Sequence, residues 1–137
     1  RIMALGKIKA DTLEHSTAGT VDTQYVVKGS TKAHWLFEQA NSNTLTVSLN
    51  VSSVTDNGTG DMTTAFTNSF SGAKLYSAGS TFAYQNDTIA NAFRGNGNIL
   101  RAAGTLRWLC VFVSSTGGGG SPEDDDENSW QLIGDLA

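Results

Sequence analysis

The chain has 137 residues, which is enough for about one domain, and its 13 acidic and 9 basic side chains give a formal net charge of −4. The basic residues are scattered rather than clustered, so we do not expect nucleic acid as a partner. No apolar run approaches the ~18 residues that a membrane-spanning helix needs, and we therefore expect no membrane insertion. Charged residues are only 16% of the chain, against roughly 25% in ordinary soluble domains. Neutral polar residues and 15 glycines take their place, which suits strands and loops.

The first part of the chain, residues 1–31, is sparse in apolar residues. Short extended pieces are expected around Ile8 and over Tyr25 to Val27, with a polar, turn-prone stretch between them. This segment is too thin to build a core of its own.

A β domain is predicted to follow over residues 32–116. Ala33, Trp35 and Phe37 alternate with more polar positions, which predicts a strand from Lys32 to just before Asn41. Trp35 is the expected core anchor of this strand, and its indole N–H then needs an acceptor.

Two alternating segments flank a turn-rich stretch in the middle of the chain, so this region predicts a β-hairpin. The upstream apolar positions are Leu45, Val47, Leu49 and Val51, and the downstream alternation includes Met62, Thr64 and Phe66. Between them, residues 56–61 supply Asp, Asn and Gly, which tolerate the backbone angles of a tight reversal. One face of the hairpin should be buried and the other solvated.

The hairpin also carries a resemblance to a known family. The run Asn50-Val51-Ser52-Ser53-Val54-Thr55-Asp56-Asn57-Gly58-Thr59-Gly60-Asp61, with Lys32-Ala33-His34-Trp35 before it, resembles the distal domains of tail fibre proteins from tailed bacteriophages, notably marine ones. The stretches 6–13 and 21–30 are similar to the segments that feed such domains from a fibre shaft. The resemblance covers roughly the first half of the chain.

The resemblance implies a virion structural protein that is assembled in the host cytoplasm as a parallel homotrimer. Residues 1–31 would be its extended shaft or shoulder segment. Its loops would contact a bacterial surface glycan or an outer-membrane protein, and its other partners would be virion proteins. Three weak sites on one axis would then give attachment by multivalency. A purely structural segment of a fibre, collar or head decoration is the alternative, and an enzyme that degrades surface polysaccharide is the third.

Further strands are predicted at 73–77, 80–85 and 106–114, a spacing typical of an antiparallel β-sandwich, here jelly-roll-like. The last of these is apolar on both faces. It is therefore either a trimer contact or a central strand covered within one protomer. The candidate trimer-interface residues are Leu106, Trp108, Val111, Phe112 and Val113. The single cysteine, Cys110, lies in the same run, where a buried inert thiol is expected.

The segment 86–103 predicts a loop with one helical turn. Loops on a rigid scaffold often hold binding residues, and receptor contact is one interpretation of its polar side chains. A plain solvated loop is the other. The receptor-binding candidates are Asn86, Asp87, Arg94, Asn96 and Asn98.

The last segment, residues 117–137, predicts a glycine-rich linker and an acidic C-terminal tail. A run of five carboxylates is usually a solvated face, but a hard cation such as calcium could also relieve its repulsion. Asp124, Asp125 and Asp126 are the weak metal candidates. The apolar residues from Trp130 to Leu136 would dock either on the domain or on a neighbouring protomer.

No pattern in the chain points to catalysis. His15 and His34 have no companion at metal-ligand spacing, and His34 is expected on the solvated face of its strand. There is no nucleophile-elbow pattern, and Asp56, Asp61 and Asp87 fall in predicted turns rather than in a paired-acid cleft. We therefore expect a binding or structural protein without a cofactor.

Overall fold

The computed structural model of the chain describes residues 10–40, 42–83, 101–112 and 121–137. Its strands pair antiparallel, and the described part contains one short helix, which confirms the all-β prediction. The chain divides into two compact units, Arg1–Ser30 and Thr31–Ala137.

The first unit consists of a small hairpin and a helix. Strands β1 (Thr12–His15) and β2 (Gly19–Asp22) pair antiparallel, and helix α1 (Thr23–Gly29) follows directly. The amide of Thr23 donates to the carbonyl of Asp11 at 2.8 Å, and its hydroxyl donates to the carbonyl of Ala10 at 2.7 Å. The start of the helix is thereby tied to the residues that lead into the hairpin.

Helix α1 corrects the expectation that Tyr25 to Val27 is extended. The β-branched Val26 and Val27 favour strand, but this preference is weak and local backbone bonds override it. No residue of α1 is buried, and Tyr25 is 64% exposed. The described residues of this unit therefore form no core of their own.

The second unit contains two antiparallel sheets. The four-stranded sheet has the order β4–β3–β11–β7, and the three-stranded sheet has the order β5–β6–β8. A short pair, β9 with β10, forms a separate two-stranded sheet. The strands are β3 (Thr31–Glu38), β4 (Thr44–Leu49), β5 (Val51–Gly58), β6 (Asp61–Phe66), β7 (Tyr76–Ala83), β8 (Thr105–Leu109), β9 (Val111–Phe112), β10 (Ser121–Pro122) and β11 (Glu127–Gly134).

Strand β3 matches the strand predicted from the alternation around Trp35. Ala33, Trp35 and Phe37 are buried, whereas the residues between them are partly exposed. Trp35 is completely buried, as expected of an anchor. Its indole N–H has no acceptor among the described residues, so this N–H does not orient the ring.

A hairpin forms in the predicted region, but its arms differ from the expectation. Its arms are β5 and β6, and the reversal is confined to the step from Gly58 to Asp61. The predicted upstream arm is broken at Asn50, which has a φ of 57°. The Asn50 side chain accepts from the amide of Asn68 at 2.7 Å and donates to its carbonyl at 3.0 Å. These hydrogen bonds stabilise the break between β4 and β5, which belong to different sheets.

The break also changes which side chains are buried. Val51 starts β5 and is 8% exposed, but Val47 and Leu49 on β4 are 44% and 50% exposed. The expectation that one apolar face is buried along the whole upstream arm was therefore wrong for β4. As an edge strand, β4 has a neighbour in the sheet order on one side only, which is β3.

The number of strands differs from the prediction in two other places. The predicted strands 73–77 and 80–85 overlap a single strand, β7, and the predicted strand 106–114 overlaps β8 and β9. Cys110 separates the latter two. Its amide donates to the carbonyl of Gly60 at 2.7 Å, which holds this point against the hairpin turn.

The core is one cluster of buried side chains that both sheets contribute to, and it is rich in aromatic rings. Trp35 and Trp130 of the four-stranded sheet stack with centroids 5.8 Å apart. Trp108 of the three-stranded sheet lies 5.2 Å from Trp130, and Phe66 lies 6.4 Å from Trp35. The Trp108 indole donates to the Thr64 hydroxyl at 3.0 Å, so a buried polar pair also joins β8 to β6.

The C-terminal residues are part of this core, which differs from the predicted separate tail over 117–137. Strand β11 lies in the middle of the four-stranded sheet and pairs with β3 on one side and β7 on the other. Trp130 and Leu132 are 1% and 0% exposed. Of the two docking partners considered for this segment, the structure shows the domain itself.

Candidate functional site

The five receptor-binding candidates, Asn86, Asp87, Arg94, Asn96 and Asn98, lie outside the described residues. Among the candidate trimer contacts, Leu106, Trp108 and Val111 are buried within the unit, at 2%, 0% and 3% exposure. The backbone of Phe112 belongs to β9, and Val113 lies outside the described residues. The buried side chains of β8 pack in the core of the protomer itself. A trimer contact through this strand stays a prediction.

One acidic candidate contacts the hairpin turn, and a second contacts the residues that follow β3. The Asp124 carboxylate accepts from the amide of Gly60 at 2.7 Å. The carbonyl of Asp125 accepts from the amides of Gln39 and Ala40 at 3.2 and 3.1 Å, and Asp125 is only 4% exposed. Asp126 is partly buried. Within the described ranges, no group of three or more His, Cys, Asp or Glu side chains is arranged to hold a metal ion.

Cys110 lies beside this acidic segment in the core. Its thiol donates to the Asn128 side-chain oxygen at 2.7 Å, and it is 1% exposed. Burial, with the negative charges of Asp125 and Asp124 nearby, raises the pKa of the thiol far above its usual value. The thiolate is the reactive form of cysteine, so this side chain is held inert.

One ion pair joins β6 to β8. The Arg107 guanidinium donates to both carboxylate oxygens of Asp61, with the Nε to Oδ1 distance at 2.8 Å. These hydrogen bonds hold the pKa of the Asp61 carboxyl below its usual value. The Asn57 amide also donates to Asp61, at 3.3 Å. Asp61 is thus committed to the hairpin and is not a free catalytic acid.

Among the described residues, the outer face of the four-stranded sheet offers a recess for a ligand. Strand pairing places His34 of β3, Gln131 of β11 and Gly79 of β7 side by side in one row across the sheet. Ile133 and Ser77 are paired in the next row. All five lie on the side opposite to the buried Trp130 and Leu132, because side chains alternate along a strand.

These rows form an open pocket of about 490 Å³. Such a volume lies within the range of small-molecule sites. Gly79 contributes the depth, because no heavy atom lies within 4 Å of the place where a Cβ would stand. Among the described residues, the lining is His34, Ser77, Ala78, Gly79, Ser80, Ser129, Trp130, Gln131 and Ile133. We call this recess the sheet pocket.

The chemistry of the sheet pocket favours binding over catalysis. Its described lining has hydroxyl, amide and imidazole groups but no carboxylate, lysine or arginine. A glycoside hydrolase needs two carboxyl groups, and a nucleophilic enzyme needs an activated nucleophile. The described lining shows neither arrangement, whereas it does offer several neutral hydrogen-bonding groups around an apolar patch.

Sequence reasoning placed only His34 correctly, on the solvated face of its strand. It did not single out Gln131, Ser77 or Gly79. A glycine inside a strand signals a close approach or a missing side chain, but Gly79 fell between the predicted strands 73–77 and 80–85, and only the single strand β7 places it inside a strand. Its position opposite Gln131 follows from the pairing of β7 with β11, which no short-range pattern reveals.

Comparisons with protein-family models, with curated proteins and with solved structures found no match. No helix among the described residues is long and apolar enough to cross a membrane. The geometry and chemistry of the chain itself therefore carry the functional argument.

Proposed function

We propose that this chain is a distal domain of a phage tail fibre, a virion protein that attaches the particle to a bacterial surface glycan or outer-membrane protein. The second unit would be a β-sandwich of jelly-roll type, and the first would be the shoulder that leads from a shaft. The observation that carries the proposal is the sheet pocket, an open recess with neutral hydrogen-bonding groups on the outer face of the four-stranded sheet. The similarity of residues 32–35 and 50–61 to phage tail fibres supports the choice of biological setting.

Assembly as a parallel homotrimer is part of the proposal. The first unit supports this assembly, because none of the residues of α1 is buried. The side chains of Leu13, Val21 and Tyr25 in the same unit are 46%, 41% and 64% exposed. A lone two-stranded hairpin is at best marginally stable in water. Neighbouring protomers would cover these side chains and would place three sheet pockets on one axis. Three weak contacts then act at a high effective concentration, which gives firm attachment.

The test is binding of the purified chain to susceptible bacteria. Because Cys110 is buried, the fluorescent label should be attached to exposed lysines rather than to the thiol. Cell-associated fluorescence is measured against protein concentration for a susceptible strain and for a phage-resistant strain. Light scattering on the same sample gives the mass of the particle that binds.

We expect saturable binding to the susceptible strain, a much weaker signal on the resistant strain, and a mass of three chains. Gly79→Val should reduce the binding, since a side chain there fills the sheet pocket. Gly29→Val is the matched control, because Gly29 also has open space at its Cβ position but lies at the end of α1, and light scattering checks that this variant keeps the mass of the wild type. A verified trimer that binds neither strain would refute attachment and would favour a structural fibre or collar segment.

A further inference from the structure

If the attachment function holds, the sheet pocket also indicates the chemical class of the receptor group. We propose that it binds an uncharged sugar ring of the bacterial surface glycan. The proposal rests on three properties of the pocket: its unused hydrogen-bonding capacity, its shape at Gly79 and Ile133, and the absence of Arg and Lys from its described lining.

The first property is hydrogen-bonding capacity that the protein leaves unused. The Ser77 and Ser129 hydroxyls and the His34 imidazole have no side-chain partner within the described part of the chain. Gln131, which also lines the pocket, donates its amide N–H to the Thr31 hydroxyl, and its Oε1 remains as an acceptor. Hydroxyl and imidazole groups both donate and accept, and a sugar hydroxyl requires partners of both kinds.

The second property is the shape of the pocket. Same-face neighbours on a strand are separated by about 7 Å, so the missing side chain of Gly79 opens a gap next to Ser77 and opposite Gln131. Ile133 borders this gap with a side chain that is 38% exposed. A sugar ring has a C–H face and a rim of hydroxyls. The ring would lay its C–H face against Ile133 and direct its hydroxyls to the serines and Gln131.

The third property is the absence of a counter-charge. Carboxylates and phosphates are recognised in proteins mainly by Arg and Lys, which form charge-assisted hydrogen bonds. The described lining of the sheet pocket contains neither residue. The carboxylate of an acidic sugar would lose its hydration in the pocket without gaining an ion pair. An acidic sugar should therefore bind more weakly than a neutral one.

The experiment is saturation-transfer NMR and calorimetry of the full chain with simple glycosides. The neutral probes are the methyl glycosides of glucose, galactose, mannose and N-acetylglucosamine. The acidic probes are the methyl glycosides of glucuronic acid and sialic acid. Each probe is tested on the wild type, on Gly79→Val and on the control Gly29→Val, and circular dichroism checks that both variants are folded.

We expect at least one neutral glycoside to bind the wild type and the Gly29→Val control equally, and to bind Gly79→Val at least about tenfold more weakly. The same glycoside should compete with susceptible cells for the labelled chain. Preference for an acidic glycoside, or equal binding to Gly79→Val, would overturn the proposal. Cell binding that no neutral glycoside inhibits, but that protease treatment of the cells abolishes, would assign a protein receptor and refute the sugar while preserving attachment. Failure of all cell binding would instead refute the attachment function.

Discussion

The substitution Leu132→Ala tests whether β11 is a central core strand. Leu132 is completely buried and lies between β3 and β7, where it is paired with Ala33 and Ala78. Replacement removes three carbon groups from the core, worth about 2.4 kcal/mol at about 0.8 kcal/mol each. The cavity that remains adds to this loss, so we expect a destabilisation of about 3 kcal/mol.

Ile133→Ala is the matched control, because it removes the same number of carbons from the next residue of the strand. Ile133 points to the outer face and is 38% exposed, so its loss should cost less than about 1 kcal/mol. The two changes therefore differ by about 2 kcal/mol only if the alternation along β11 is as the structure shows.

The assay is urea unfolding followed by tryptophan fluorescence. The three tryptophans, Trp35, Trp108 and Trp130, are all within 1% of complete burial, so their emission reports directly on the core. The midpoint should fall for Leu132→Ala with an unchanged slope, because the surface exposed on unfolding hardly changes. Equal destabilisation by both substitutions, or a larger effect of Ile133→Ala, would refute the assignment of faces on β11.

Three further predictions concern the three-stranded sheet and its turn. The pKa of Asp61 is lower in the folded than in the unfolded protein, so its ion pair with Arg107 stabilises the fold above the unfolded pKa of about 3.9, and this stability is lost as the pH falls through the folded pKa. Asp61→Asn should therefore make the unfolding free energy depend less on pH in urea titrations between pH 6 and 2. An unchanged pH profile would contradict the pairing. Cys110 should stay unlabelled by a thiol reagent at pH 8 until urea unfolds the protein, whereas rapid labelling of the native state would refute its burial. Gly60→Ala should destabilise the fold more than Gly58→Ala does. Both glycines have a positive φ, which costs a residue with a Cβ about 1–3 kcal/mol, but a Cβ at Gly60 would also lie 2.5 Å from the carbonyl oxygen of Cys110. Equal urea midpoints for the two variants would contradict this contact.

Local patterns predicted the parts of the fold that depend on neighbouring residues. Strand β3 followed from the alternation of Ala33, Trp35 and Phe37, and the β5–β6 hairpin followed from the turn residues that end at Asp61. Both features are decided within about 15 residues of chain. The fold class was predictable for the same reason, since antiparallel strands join through short connections.

Features that depend on pairing between distant segments were not predictable in this way. Asn50 lies within an unbroken alternation, yet it has a positive φ and its side chain binds Asn68 at the point where the chain passes from β4 to β5, which belong to different sheets. The sheet pocket is a similar case. His34, Gln131 and Gly79 come from three strands, and they form one row only because β11 pairs with both β3 and β7.

The C-terminal segment shows most clearly why composition can mislead. Its glycines and carboxylates are typical of a solvated tail, yet Asp124 and Asp125 bind backbone amides of the hairpin turn and of the residues after β3. These bonds hold the chain where β11 begins, and the apolar alternation of Trp130 and Leu132 then completes the sheet. Because β11 lies between β3 and β7, it holds the four-stranded sheet together, which an added edge strand would not do.

The position of β11 also decides which experiments on the pocket are informative. β3 and β11 are almost 100 residues apart in the chain, so the four-stranded sheet cannot close until the last residues are present. A chain that ends before Ser121 would lose Gln131 and Ile133 from the pocket, and it would also lose Trp130 and Leu132 from the core. Loss of binding after such a truncation would follow from unfolding alone. Function therefore has to be tested with outward changes such as Gly79→Val, which fill the pocket without removing a core side chain.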